Sequence, residues 1–268
     1  MESPFPNTPS ALTPLRTVAA TRYVTPLREG GSLPAIVEAD DCGMYVLKFR
    51  GAGQGPRALI AELIAGEIAR AVGLPVPEIV LVALDPDLAR TEPDPEIQDL
   101  IRASAGLNLG LDYLPGAVAF DPLADAPDAD LASAIVWFEA LVTNVDRTPR
   151  NTNLLMWNNR LWLIDHGAAL YFHHAGPEFQ DRSRDPFPLI RDHVLLPLAS
   201  RIEAVDARLA SRLSGDVIGA IVDQVPNAWL AADAAAADGR RAAYADYFIE
   251  RLRAPRAFVE AAIRARSV

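Results

Sequence analysis

The chain has 268 residues, half of them hydrophobic, with a formal net charge of −10 and one cysteine. This length accommodates one large domain or two lobes sharing a cleft, and the acidic balance argues against general electrostatic attachment to DNA, RNA or anionic lipid. With Cys42 alone, neither an intramolecular disulfide nor a thiolate zinc cluster can form, which fits a reducing compartment.

Residues 1–20 read as a flexible lead-in, because Pro4, Pro6, Pro9 and Pro14 interrupt any regular element. The stretch lacks the basic start and apolar centre of a secretory signal. No run approaches the roughly 18 apolar residues of a membrane span, so a soluble cytoplasmic protein is expected. From Thr21 to Gly31 the pattern is a short strand and a turn, with Gly30-Gly31-Ser32 as a small corner. Ala35 to Glu38 and Met44 to Phe49 read as further strands separated by the turn Asp40 to Gly43.

Of the 25 Lys and Arg residues only one is lysine, Lys48, and it lies within an apolar strand. A chain that otherwise uses Arg keeps an ammonium there. An ammonium is a compact point charge that fits between phosphate oxygens, where the guanidinium fork is too wide.

Pro56 opens a helix in which Leu59, Ile60, Leu63, Ile64 and Ile68 recur at helical spacing, and Gly73 closes it. Glu62 and Glu67 sit on this helix, and for either one the pattern alone leaves open a solvated face or a role. Ile79 to Leu84 is a buried strand. Asp85 to Asp99 is an acidic, Pro-rich excursion leading to a short helix near 97–103, and Asn108 to Gly116 reads as an edge strand followed by a linker.

Beyond Asp130 the character turns helical. Leu131 to Val142 is apolar on most sides, as in a helix buried within a large lobe. It leads into TNVDRTPRNTNLLMWNNRLWLIDHG, residues 143–167, around which the chain is organised. Leu154 to Trp157 and Arg160 to Ile164 read as two strands joined by Asn158-Asn159, a tight turn because Asn tolerates positive φ. Pairing 157 with 160 places Asp165 opposite Thr152 and beside Asn151, about 5 Å across the ladder. Asn151 and Asp165 thus form an oxygen pair suited to Mg²⁺, and Asp146 faces the same point from an irregular loop as a base for a substrate hydroxyl.

After Gly167, the pair His173-His174 has no further metal ligands at suitable spacing. The polar run Gln180 to Asp185 suits a substrate-facing loop. Helices are expected near 189–211, 214–225 and 240–265, with no internal repeat.

The string D-x-x-x-x-N, a short hairpin, then D-x-G resembles the catalytic and metal-binding loops of the protein-kinase-like superfamily. The form NVDRTPRNTNLL…LIDHG most resembles the HipA-like kinases, with phosphatidylinositol kinases as distant relatives. Asn144-Val145 replaces the usual His-Arg, and His166 stands where protein kinases often have Phe. Both departures point away from an ordinary eukaryotic-type protein kinase.

The resemblance spans about residues 22–230 and implies an α+β, two-lobed protein-kinase-like fold. The divisions are the lead-in 1–20, a small β-rich N-lobe 21–114 and a mostly helical C-lobe 115–268. With only some twenty residues before the first strand, the separate N-terminal subdomain of full-length HipA is expected to be lacking, and with it a DNA-binding antitoxin partner is in question. The resemblance implies ATP and Mg²⁺ as cofactors, with GTP also open as donor, and phosphoryl transfer to a hydroxyl of a protein Ser or Thr. A small-molecule or lipid kinase on the same scaffold and a nucleotide-binding pseudokinase are the alternatives.

By the same resemblance Gly30, Gly31 and Ser32 cover the phosphates, and Ser32 is a candidate phosphorylation site. Lys48 anchors the phosphates and Glu62 orients Lys48. Asp112, Tyr113 and Leu114 form the adenine-facing hinge, Asp146 is the catalytic base, and Asn151 with Asp165 hold the metal.

Overall fold

The computed structural model describes residues 13–27, 33–53, 55–176, 179–231 and 233–267. Gly30, Gly31 and Ser32, expected as the lid, lie outside the described residues. Five strands close into a barrel: β1 (Thr17–Pro26), β2 (Ala35–Ala39), β3 (Met44–Lys48), β4 (Ile79–Leu84) and β5 (Gly106–Asp112), in the order β1-β2-β3-β5-β4. Closure comes from a parallel pairing of β1 with β4, from Thr17↔Leu81 to Ala19↔Ala83; the other neighbours are antiparallel. β1 begins inside the expected lead-in, because Val18 and Ala20 alternate into the barrel's hydrophobic cluster with Ala35, Val37, Leu47, Val80 and Val82.

β5 is not the edge strand its polar residues suggested; it lies between β3 and β4. Its polar Asn108 is fully buried and fully used. It accepts from Arg50 N at 2.7 Å and donates to the carbonyls of Ser104 and Gly106 at 2.8 and 2.9 Å. Gly110 is required by its neighbours, since a Cβ there would lie 2.7 Å from Val82 Cγ2 and 3.0 Å from Val80 Cγ2.

α1 (Pro56–Ala71) is buried at every residue from Leu59 to Ala69, so it is covered on all sides instead of presenting a solvated face. It ends as the sequence indicates: Gly73 adopts φ 88°, its N–H donates to Arg70 O, and Leu74 N donates to Ala69 O. α1 belongs to the same continuous hydrophobic core as the helices that follow the barrel. α2 (Pro95–Ala103), started by Asp94 and Pro95, packs Ile97 and Ile101 against the barrel cluster.

In the second half, α3 (Ala129–Val142) buries Trp137 and Phe138 completely. It delivers the chain to a three-stranded sheet of β6 (Val118–Ala119), β7 (Leu154–Trp157) and β8 (Arg160–Leu163). The remaining helices are α4 (Ile202–Ala210), α5 (Gly215–Asp223), α6 (Asn227–Leu230), α7 (Ala234–Arg251) and α8 (Ala257–Arg266). Where one helix was expected over 189–211, two short helical turns, Pro188–Asp192 and Leu196–Leu198, precede α4. Pro188 and Pro197 lack the N–H that a continuous helix needs. The expected helix over 240–265 is divided into α7 and α8 at Pro255 for the same reason, while α7 starts earlier, at an Asp233 side chain that accepts from Ala236 N.

Gly110→Ala is expected to destabilise the protein by about 1–3 kcal/mol, because the added methyl meets branched side chains on a central strand. Urea unfolding measures it, and an unchanged midpoint would show that the barrel has more room than its packing indicates.

Candidate active site

The β7–β8 hairpin has the register derived from the sequence, from Leu154↔Leu163 to Trp157↔Arg160. Asn158 and Asn159 both take positive φ, 49° and 59°, as the two-residue turn demands. The regular ladder then ends after one further bond, Ile164 N to Asn153 O at 3.1 Å. Asn153 and Asp165 enter the left-handed region, with φ 48° and 56°, so Asp165 does not continue across to Thr152. Its carboxylate instead meets the barrel, where Lys48 Nζ donates to Asp165 Oδ1 at 2.5 Å.

Lys48, at the end of β3, donates equally to Glu62 Oε2 of α1, at 2.5 Å. The side chains of Lys48 and Glu62 are 12% and 0% exposed, and that of Asp165 is 46% exposed. Burial alone would push the Glu62 carboxyl up, but the neighbouring ammonium overrides it and holds the group below the usual carboxylate range. Burial likewise opposes the Lys48 charge, and the two carboxylates together outweigh it and raise its pKa. Lys48 and Glu62 are therefore held in their charged forms by one another. His166 is buried between Glu62 and α3, with Nδ1 3.5 Å from Glu62 Oε1 and its ring edge-on to Phe138.

Asp146 lies on the loop between α3 and the hairpin. Its Oδ2 accepts from Asn151 Nδ2 at 2.8 Å and from Asn153 Nδ2 at 3.3 Å, and its N–H donates to Asn144 Oδ1 at 3.1 Å. Both amide donors fall on one oxygen, so the other is the one that can meet a hydroxyl. Asn151 spends its nitrogen on Asp146, which leaves its carbonyl oxygen as a ligand. The half-exposed Asp165 carboxylate and the exposed Asn151 amide are hard-oxygen donors of the kind Mg²⁺ accepts alongside phosphates and waters. They belong to different contact groups, Asp165 to Lys48 and Asn151 to Asp146, so the expected pairing across the ladder is not formed. Among the described residues no cluster of three or more His, Cys, Asp or Glu forms a closed metal site, His173-His174 included.

Two residues that the sequence reading passed over hold this loop in place. Arg147 is 1% exposed; its guanidinium pairs with fully buried Glu139 of α3 and donates to the carbonyls of Thr152, Asn153 and Ile164. One side chain thus ties the Asp146 loop to the residue preceding Asp165. Burial would raise the Glu139 carboxyl, but the Arg147 charge keeps it below its ordinary value. The available signal was Glu139 itself, the one charged residue in the apolar run 131–142, which needs a buried cation. Thr143 and Leu170, both with φ 53°, flank the site in the left-handed region, and Leu170 N donates to Val142 O at 2.7 Å to fasten them.

At the end of β5, the N–H groups of Asp112 and Tyr113 are taken by the carbonyls of Glu78 and Met44, at 2.8 and 2.9 Å. Base recognition by Asp112, Tyr113 and Leu114 would therefore use the carbonyls or the Leu114 N–H. Lys48, Glu62 and Asp165 are in direct contact, and Asp146 with Asn151 forms a second contact group joined to them through Arg147 and Ile164.

A closed β-barrel carrying a lysine paired to a helix glutamate, set against a helical half that presents the D-x-x-x-x-N and D-x-G loops, defines a two-lobed protein-kinase-like fold. The chain belongs to the HipA-like kinase family, whose profile matches residues 21–253. Among solved structures it is similar to a Helicobacter pylori proinflammatory kinase, CtkA, with a TM-score of 0.52 and 13% identity, over 94% of this chain and 98% of that one. It is also similar to the Golgi casein kinase, solved with Mn/ADP bound, with a TM-score of 0.46 and 12% identity, over 92% of this chain and 75% of that one. No curated protein sequence matches the chain.

Arg147→Ala leaves Glu139 buried without a counter-charge and is expected to cost about 3–5 kcal/mol. Pairing it with Glu139→Gln should recover part of that loss in denaturant unfolding, a coupling that independent sites would not show. A second expectation concerns His193, which is buried against Arg147 and Glu139 and is pushed down to about 4, chiefly by burial. Its Nδ1 accepts from Leu195 N at 3.0 Å, which favours the neutral ring. The folded-state pKa lies below the unfolded value, so this contribution is whole above about pH 6.5 and is lost as pH falls toward 4. Stability measured across that window should fall more gently in His193→Gln; identical slopes would remove His193 from the account.

Proposed function

We propose that this HipA-like kinase uses ATP and Mg²⁺ to phosphorylate a hydroxyl, that of Ser or Thr in a protein substrate. The observation that carries this reading is the buried bridge from Lys48 to both Glu62 and Asp165, beside an Asp146 fixed by two amides. Glu62 is fully buried and cannot follow Lys48 elsewhere, whereas Asp165 is half-exposed and can exchange the ammonium for a cation. Lys48 then turns its free donors to nucleotide phosphate oxygens while Glu62 keeps it aligned.

Asn151 and Asp165 would hold Mg²⁺, which neutralises charge on the phosphates during transfer. Asp146 orients the acceptor hydroxyl and takes its proton as the oxygen–phosphorus bond forms and the bond to ADP breaks. Arg147 contributes by keeping Asp146 and the end of β8 in one register. Positioning and charge neutralisation are the main sources of rate, so small displacements of these groups should matter.

Two measurements test the reading. ATP with Mg²⁺ should raise the melting temperature, by an amount equivalent to about 2.7 kcal/mol when ligand exceeds its dissociation constant a hundredfold, and Asp165→Ala should abolish the Mg²⁺-dependent part. Asp146→Asn should lower phosphoryl transfer by about 10²–10⁴-fold while leaving nucleotide binding nearly intact. No thermal response to any nucleotide would sink the reading, and transfer unaffected by Asp146→Asn would remove Asp146 from its assigned role.

A further inference from the structure

A second cavity, of about 470 Å³, lies outside the site described above, where the first turn of α1 meets α6, α7 and the turn following the D-x-G loop. Its polar lining is Arg57, Arg240, His173, His174 and Tyr244, with Trp229 and other apolar side chains as walls; no carboxylate lines it among the described residues. The chain is acidic overall, and most arginines among the described residues are matched to a carboxylate or a carbonyl, with Arg57, Arg150, Arg160, Arg240 and Arg266 as the exceptions; of these, only Arg57 and Arg240 line this cavity. Arg57 and Arg240 have no hydrogen bond or ion pair among the described residues. Both lie close enough to Tyr244 for their charges to act on its hydroxyl.

The end of α1 that opens on the cavity adds to this field. Its N-cap is Gly55, no side chain caps it, and no acidic residue occupies its first turn. Such a terminus carries partial positive charge; Pro56 has no N–H and that of Ala58 is spent on Gly55 O, which leaves the Arg57 N–H facing this end. The imidazoles are already arranged as a relay: His173 Nδ1 is 3.1 Å from the Tyr244 hydroxyl, and His173 Nε2 is 3.1 Å from His174 Nε2. Burial, with the positive neighbours in support, keeps both rings neutral, His173 down to about 3. With neutral rings, two of the three protons are spent within this relay, which leaves one hydrogen bond to offer a ligand without adding a charge.

We propose that this cavity is a binding site for a dianionic phosphoryl group, separate from the catalytic cleft. Two guanidinium groups with no partner among the described residues match two negative charges, and the guanidinium fork matches the spacing of phosphate oxygens. The helix terminus and His174 complete the donor set around a tetrahedral anion, and the apolar walls at Trp229, Ile60 and Phe179 leave room for a carrier of that group. Free phosphate and a phosphorylated serine side chain present the same chemistry.

The test is isothermal titration of the full chain with inorganic phosphate and, in parallel, with O-phosphoserine, at ionic strength held constant with chloride. The variants are Arg57→Gln, Arg240→Gln and the two combined. Each single change should weaken binding several-fold and the pair at least tenfold, with the ligand-free melting temperature unchanged because both side chains are exposed and have no partner among the described residues. Tighter binding of phosphoserine, lost in the double variant, would identify a phosphorylated side chain as the source; equal binding, lost in the same way, would identify free phosphate. Affinity that survives the double variant would place the anion elsewhere, the cleft at Lys48 included, and would overturn the proposal, as would no binding of either anion.

Discussion

The ammonium of Lys48 fixes the geometry on which the rest depends. Removing it from water is costly, and the two carboxylates that offset this cost come from different elements, Glu62 from α1 and Asp165 from the end of the β7–β8 hairpin. The barrel must therefore bring β3 to the correct height, and α1 must be buried on all sides to hold Glu62 dry. The helical half must end its hairpin with a left-handed residue that turns a carboxylate toward the barrel. Failure of any one of these leaves a buried charge without its partner.

Arg147 plays the corresponding part within the helical half. Its charge is neutralised by Glu139 deep in α3, and its remaining donors bind carbonyls from both strands of the hairpin base. The carbonyls of Thr152 and Ile164 accept no backbone N–H among the described residues, because Asn153 and Asp165 leave the ladder after the Ile164–Asn153 bond, so the backbone irregularity that aims Asp165 also creates acceptors that Arg147 satisfies. Site geometry and loop stability thus have one cause. The same economy appears in β5, where buried Asn108 spends its amide on the turns that enter the strand.

Much of the site was legible in the amino acids. A lone lysine in an apolar strand, Asn-Asn between two apolar runs, and the D-x-x-x-x-N and D-x-G spacings each constrain local chemistry over a few residues, and the hairpin register follows by counting. Glu62 was ambiguous, since the periodicity of α1 cannot distinguish a solvated glutamate from one buried by a second layer. The edge-strand reading of 108–116 failed because Asn108 and Gly110 resemble surface residues until the neighbours of β5 are known. Helices over 189–211 and 240–265 were drawn through prolines, whose local veto outweighed the surrounding apolar pattern.

The sequence by itself determined the loop chemistry, the turn types and the two-part character of the chain, because those depend on φ preferences, side-chain functional groups and short spacings. Only the tertiary structure decided that Asp165 faces Lys48 instead of Thr152, that Arg147 is a buried clamp, and that Arg57 and Arg240 share one cavity. These outcomes join residues far apart in the chain, and each depends on which charges can be removed from water together. That balance is settled by packing and has no local signature.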